Sequence, residues 1–221
     1  MKKILLLVIL FSVLLSGCKT MNKQQKGTAI GASGGAVIGA ALTKGSIWGI
    51  LAGAAIGGAA GNLIGKNMDK QAKELQQAIP TADIQRVNEG IDITFESGLM
   101  FDLNSYAIKE SYKSDLSSAA DVFKKYPETN IVIEGHTDDT GTDDVNMALS
   151  KKRANAVKDF FIAKGLDQSR LTAKWYGESQ PKFPNTNEEN RKKNRRVELA
   201  VFANDKMKQD AKEGKIDSTS R

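Results

Sequence analysis

Two side chains of opposite charge stand in the run GHTDDTGTDDVNMALSKKRANAV: Asp138 and Arg153. A helix beginning near Asp143 or Asp144 would carry Asn146, Leu149, Arg153 and Val157 down one side, since seven residues fall only about 20° short of two turns. Arg153 then faces the loop that holds Asp138. A carboxylate accepts an ammonium, and a guanidinium grips a carboxylate through two parallel hydrogen bonds. The pair therefore suits a small zwitterion whose amine and acid share one carbon. The plain alternative is an ordinary surface ion pair, worth about 0 to 1 kcal/mol.

The surroundings decide between these readings. Gly135, His136, Thr137, Asp138 and Gly141 precede a helix with Asn146, Leu149, Ser150, Arg153, Ala154 and Val157. Upstream stands Phe101-Asp102-Leu103-Asn104, and downstream come Tyr176-Gly177-Glu178, Pro181, Asn185 and Asn194-Arg195-Arg196-Val197-Glu198. Several spaced motifs in this order, over residues 90–203, resemble the OmpA C-terminal (OmpA/MotB/Pal) peptidoglycan-binding domain. The resemblance implies that Asp138 and Arg153 hold the free amine and carboxylate of diaminopimelate in the peptidoglycan stem peptide. Asn146, on the Arg153 face, is a further candidate and a donor to the ligand carboxylate. Asn104 and Arg195 lie in motifs that approach the same groove. A turn asparagine and an ion pair or strand-edge role are their structural alternatives.

Other chemistry weakens on inspection. His136 is the sole histidine and Cys18 the sole cysteine, in separate segments, so neither a histidine-rich metal site nor a cysteine–histidine dyad is expected. His136 is assigned a structural or loop-ordering role, and no cofactor or metal is expected. Glu134, Asp138, Asp139, Asp143 and Asp144 include carboxylates enough for a glycosidase acting on the wall. Against this, Glu134 falls on a strand, and Asp143 and Asp144 read as helix caps. The chain is expected not to be an enzyme.

The amino terminus sets the address. Lys2 and Lys3 precede the apolar run from Ile4 to Leu15, which is short for a membrane span and suits a signal peptide. It ends in Leu15-Ser16-Gly17-Cys18, which resembles a bacterial lipobox with Cys18 as the acylated residue. Two or more acyl chains anchor stably where one does not. Lys19, not aspartate, follows the cysteine and points to the outer membrane, with the downstream domain in the periplasm. The net charge of +6 is mild, and its basic residues are interleaved with acids, so no nucleic-acid partner is expected.

Between these parts glycine recurs every fourth residue, at 31, 35 and 39 and again at 49, 53, 57, 61 and 65. Small residues at that period let helix backbones approach closely. The pattern predicts a glycine-zipper hairpin of two helices, Thr28–Thr43 and Ile47–Gly65, each near the lower limit for spanning a bilayer and able to form a homo-oligomer. The organisation expected is a leader over 1–17, a lipidated linker over 18–26, the hairpin over 27–66, a helical linker over 67–89, the domain over 90–203 and a polar, frayed tail over 204–221. Periodicity gives an α/β (α+β) domain of βαβαβ(α)β type with a mixed sheet. Its opening strand carries Ile91 and Ile93, its helices run from Ala107 to Tyr126 and through Val157, Phe160 and Phe161, and its last strand carries Val197, Leu199 and Val201. The function expected is non-covalent binding of diaminopimelate-type peptidoglycan by an anchored protein that ties outer membrane to wall. The alternative is a glycine-zipper pore or transport assembly that wall binding positions.

Overall fold

The computed structural model describes residues 46–102 and 104–216. The leader, Cys18 and the first zipper arm lie outside the described residues. The described elements are α1 (Ile47–Gly53), α2 (Gly58–Ala78), β1 (Asp83–Val87), β2 (Gly90–Glu96), α3 (Ser97–Met100), α4 (Glu110–Lys125), β3 (Thr129–His136), α5 (Asp143–Ala163), β4 (Leu171–Gly177), α6 (Glu188–Asn194), β5 (Arg196–Ala203) and α7 (Asp205–Lys212), with a 3-10 turn at Gln168–Arg170.

Five strands form one mixed sheet in the order β1-β2-β5-β3-β4. Neighbours run antiparallel except β3 and β4, whose parallel pairing needs the long crossover that α5 supplies. Alternation sorts each strand onto two faces. Ile91, Ile93 and Phe95, Ile131 and Ile133, and Val197, Leu199 and Val201 face α2, α4 and α5 in the main core. There Phe123 and Phe161 meet edge to face, 5.5 Å apart. The other face is smaller and mixed. Ile47 and Leu51 of α1 pack there on Val132 and Ala200, and Asp92, Glu134, His136 and Glu198 are buried on the same strands.

The expected domain is present, and its edges differ from expectation in four places. Strand β1 precedes the Ile91 strand and lies inside the segment read as helical linker. It is an edge strand with only Ile84 buried, so its alternation is faint. Asn88, at φ 52°, turns it into β2, a backbone conformation asparagine tolerates better than most residues. Helix α2 runs across the expected boundary at residue 66 and puts Ile64, Met68, Ala72 and Leu75 into the core. The second zipper arm is not one helix: α1 ends at Gly53, and Gly57, just ahead of α2, and Gly58, its first residue, take φ of 70° and 66°. Both oxygens of Glu89, in the β1–β2 turn, accept from that break, from Ile56 N at 2.7 Å and Gly57 N at 2.8 Å. The tail is not frayed over its first turns, because α7, capped by Asn204, buries Met207 and Ala211 beside α2.

The glycine stripe therefore has a use within the chain. Gly49 and Gly53 are buried under α1, and a Cβ on Gly61 would stand 2.1 Å from Glu89 Oε1. No helix of the described residues is long and apolar enough to cross a membrane.

Candidate functional site

Close backbone contact places the loop that carries Asp138. A Cβ on Gly135 of β3 would stand 2.2 Å from Ser150 O on α5, so glycine is what lets the helix lie on the strand. Gly177, at φ 53°, ends β4, and its amide donates to Ser150 Oγ at 3.0 Å. Its carbonyl accepts Thr137 N at 2.9 Å. Strand, helix and neighbouring strand thus hold residue 137, and Asp138 follows into the mouth of a groove.

That groove, of about 660 Å³, is lined by Asp138, Arg153, Asn146, Asn104 and Arg195 together, with Phe101, Thr140 and Glu188 among the other walls. All five residues singled out in the sequence meet there. Helix α5 starts at Asp143 behind Thr142, whose hydroxyl accepts Val145 N at 3.4 Å; Asp143 and Asp144 are first-turn residues instead of caps. Acids in the first turn still suit the positive end of the helix. Asp139 is exposed and is not part of the groove wall.

Inside the groove Asp138 and Arg153 do not form the ion pair that was their plain alternative. Asp138 is ion-paired with Arg195, and its Oδ1 accepts Thr140 N at 3.0 Å. Arg195 reaches on to Glu188, NH2 to Oε1 2.6 Å. Glu188 sits below the usual carboxylate range because Arg195 and Arg191 hydrogen-bond its charged form. Arg153, 4% exposed, is fixed by its Nε, which donates to Ser105 O at 3.0 Å, and by the ring of Phe101, 5.1 Å from its guanidinium carbon. Among the described residues its two terminal nitrogens have no protein acceptor. Burial, reinforced by Arg195 and opposed by Asp138, brings its pKa down to about 10, so it remains a cation at neutral pH.

Asn146 corrects a second expectation. Its Nδ2 donates to Asp138 O at 3.2 Å and to Glu178 Oε2 at 2.6 Å, which uses both amide hydrogens. It holds the loop and leaves its carbonyl oxygen as the group free to face a ligand. Asn104, at φ 54°, is both a turn residue and part of the groove wall. Glu188, Glu178 and Ser105 complete the site from distant segments; Glu178 stands in the Tyr176-Gly177-Glu178 motif, and nothing local in the sequence signals Glu188 or Ser105.

The arrangement offers two binding poles. One is a guanidinium with its fork unoccupied in a shielded position. The other is a carboxylate whose two oxygens each already accept one bond and, with about four lone-pair positions in all, keep room for an ammonium.

Comparisons with known proteins give the family of the domain that carries this groove. The sequence pattern of the OmpA family matches residues 100–195, and that of the YMGG-like Gly-zipper matches residues 1–69. The chain is 34% identical over 206 residues to the probable lipoprotein YiaD of Escherichia coli (strain K12), covering 88% of this chain and 94% of that one. It is 37% identical over 92 residues to a peptidoglycan-associated lipoprotein of Brucella melitensis, covering 41% of this chain and 55% of the relative. It spans only 30% and 36% of the length of two Pseudomonas outer membrane porins F with which it also aligns. In structure it is similar to the cell wall anchor of the type VI secretion system from Pseudomonas aeruginosa, with a TM-score of 0.54 and 26% identity over 62% of this chain and 96% of that one.

Proposed function

We propose, because this chain belongs to the OmpA family, that its groove binds peptidoglycan non-covalently through the diaminopimelate of the stem peptide. One observation carries the reading: Arg153, whose two terminal nitrogens have no acceptor among the described residues, lines the same groove in which Asp138 presents a carboxylate. A ligand carboxylate takes the fork of Arg153. The ammonium on the same carbon takes the remaining acceptor capacity of Asp138, with the carbonyl oxygen of Asn146 beside it. Arg195 holds Asp138 in place and limits its negative charge, so that an incoming cation is bound by geometry as well as by attraction. Residues Asp138, Arg153, Asn146, Asn104 and Arg195 make up the proposed ligand set.

The same reading makes the protein a tether. Acyl chains on Cys18 hold it in the outer membrane, the OmpA-like domain faces the periplasm, and the groove grips the wall. No substrate is turned over. What supports the anchor is the Leu15-Ser16-Gly17-Cys18 sequence and the 94% coverage of YiaD, a relative described as a lipoprotein.

The test is co-sedimentation of the full chain in detergent with purified diaminopimelate-type peptidoglycan, in competition with free diaminopimelate. Binding that free diaminopimelate displaces and cadaverine, the same diamine chain without carboxylates, does not is the expected outcome. Binding that neither displaces would refute the groove assignment. Loss of wall polymer during incubation would refute the non-enzymatic reading.

A further inference from the structure

On the face of the sheet away from the main core, two carboxylates and the chain's one imidazole converge in a fully buried cluster. Glu134 and His136 stand on β3 and Glu198 on the adjacent β5, and all three are at most 2% exposed. His136 Nε2 lies 3.8 Å from Glu134 Oε2 and 3.6 Å from Glu198 Oε2. Those separations are too long for hydrogen bonds. Neither ring nitrogen of His136 nor Oε1 of Glu134 has a hydrogen-bond partner among the described residues. A buried polar atom without a partner carries a desolvation cost that proteins rarely leave in place, and three of them meet here.

One donor atom from each side chain falls within 4.8 Å of the others. A metal ion bonded at about 2.0–2.2 Å to each donor, at angles between tetrahedral and trigonal, sets those donors about 3.3–3.8 Å apart. The two separations from His136 Nε2 lie inside that range, and the two carboxylates lie within 4.8 Å of each other. We propose that Glu134, His136 and Glu198 form a binding site for one divalent transition-metal ion, with zinc the best match to a donor set of one imidazole and two carboxylates.

The neighbours define how each ligand would serve. Glu198 Oε1 is held by Arg196 Nε at 2.9 Å and by Lys182 Nζ at 3.5 Å, so Oε2 alone is turned toward the histidine and binds in monodentate fashion. Glu134 Oε2 accepts Ile47 N at 3.0 Å, which fixes that carboxylate from above. The Tyr176 ring stacks on His136 at 5.4 Å and 21°, setting the plane of the imidazole. These are the supporting contacts that orient ligands in metal sites. The ion would join β3 to β5 at the point where each leads into the groove, since Asp138 lies two residues beyond His136 and Arg195 one residue before Arg196. The site escapes sequence reasoning because its ligands alternate on two strands that are distant along the chain.

The single histidine makes the test clean. The full chain, carrying Cys18→Ser so that no thiol competes, is stripped with a chelator, dialysed against zinc, and analysed for metal and for melting temperature beside its His136→Asn variant. The expected result is about one zinc ion per chain with a raised melting temperature, and at least a tenfold loss of affinity in the variant, about what outer partners alone cost when removed. If His136→Asn does not fold, X-ray absorption of the zinc-loaded Cys18→Ser chain decides, with one imidazole in the coordination shell as the expected signature. Fewer than about 0.1 zinc ions per chain, equal binding by His136→Asn, or a shell without imidazole would each overturn the site.

Discussion

Replacing Arg153 by lysine separates charge from geometry. The variant keeps a cation at a position only 4% exposed, but it loses the Nε bond to Ser105 O and one prong of the fork. A hydrogen bond to a charged group is worth about 1.5–3 kcal/mol, and burial shields this one from salt, so affinity should fall by about 10- to 150-fold. Losing the Ser105 contact should also lower domain stability by about 1 kcal/mol, which a melting curve reads independently. The assay is calorimetric titration of wild type and Arg153→Lys with muropeptides whose third residue is diaminopimelate or lysine. Lysine stems lack the carboxylate that meets the fork. The substitution should therefore cost them little, and the coupling between ligand carboxylate and guanidinium appears as the difference of differences. A wild type that binds both muropeptides equally, or an Arg153→Lys that loses as much with lysine stems as with diaminopimelate, would refute the two-pole reading.

Three further outcomes follow from the packing. Gly135→Ala puts a methyl 2.2 Å from Ser150 O, a backbone atom with little freedom to yield, so the unfolding midpoint in urea should drop by the equivalent of about 3 kcal/mol or more; an unchanged midpoint would show that α5 can lift from β3. Asp92 is held up to about 7, chiefly by burial and next by the charge of Glu198. Its folded pKa lies above the unfolded value of about 3.9, so the folded state keeps a proton that the unfolded state releases, and stability falls as pH rises from about 4 to 7 and then levels. Asp92→Asn should remove that slope, gaining on the order of 3 kcal/mol over wild type at pH 8 relative to pH 4; parallel stability curves for the two would contradict it. Cys18→Ser should abolish fatty-acid labelling and release the chain from the membrane fraction, and label that persists in the variant would remove the lipobox assignment.

The site was largely legible because its signals are local. Asn146 and Arg153 share a helical period, Gly135 and Gly141 mark a loop that must approach closely and turn, and Asp138 sits between them. Its wiring was not legible. Which cation holds Asp138 depends on β5 leading out beside β3, a long-range pairing that no spacing encodes, and so the ion pair was legible only as the structural alternative for Arg195. The strands through Ile91 and Ile93 and through Val197, Leu199 and Val201 announced themselves by apolar alternation. Strand β1, half solvated at an edge, did not. Helix α7 was hidden by composition, since two buried residues, Met207 and Ala211, suffice to dock it in an otherwise charged run. Of the glycines at the four-residue period, Gly61 makes a close approach, to a glutamate on a hairpin turn and not to a second helix, whereas a Cβ on Gly57 would meet nothing within 4 Å and one on Gly65 only Arg86 at 3.9 Å.

The chain crosses from one side of the sheet to the other between α1 and α2, and the two carboxylate oxygens of Glu89 clasp it at the crossing. Under the proposed function, with the chain held at its amino terminus and loaded at its groove, this would make a mechanical series. Tension entering ahead of Ser46 meets α1 first, a seven-residue element that can peel from the sheet one contact at a time. Next comes the Glu89 clasp, and only then the long contact between α2 and the main core, which must shear as a unit. Peeling α1 would also break the bond of Ile47 N to Glu134, four residues before Asp138 on β3, so strain at the proximal segment reaches the strand that carries the groove loop before the α2 contact shears.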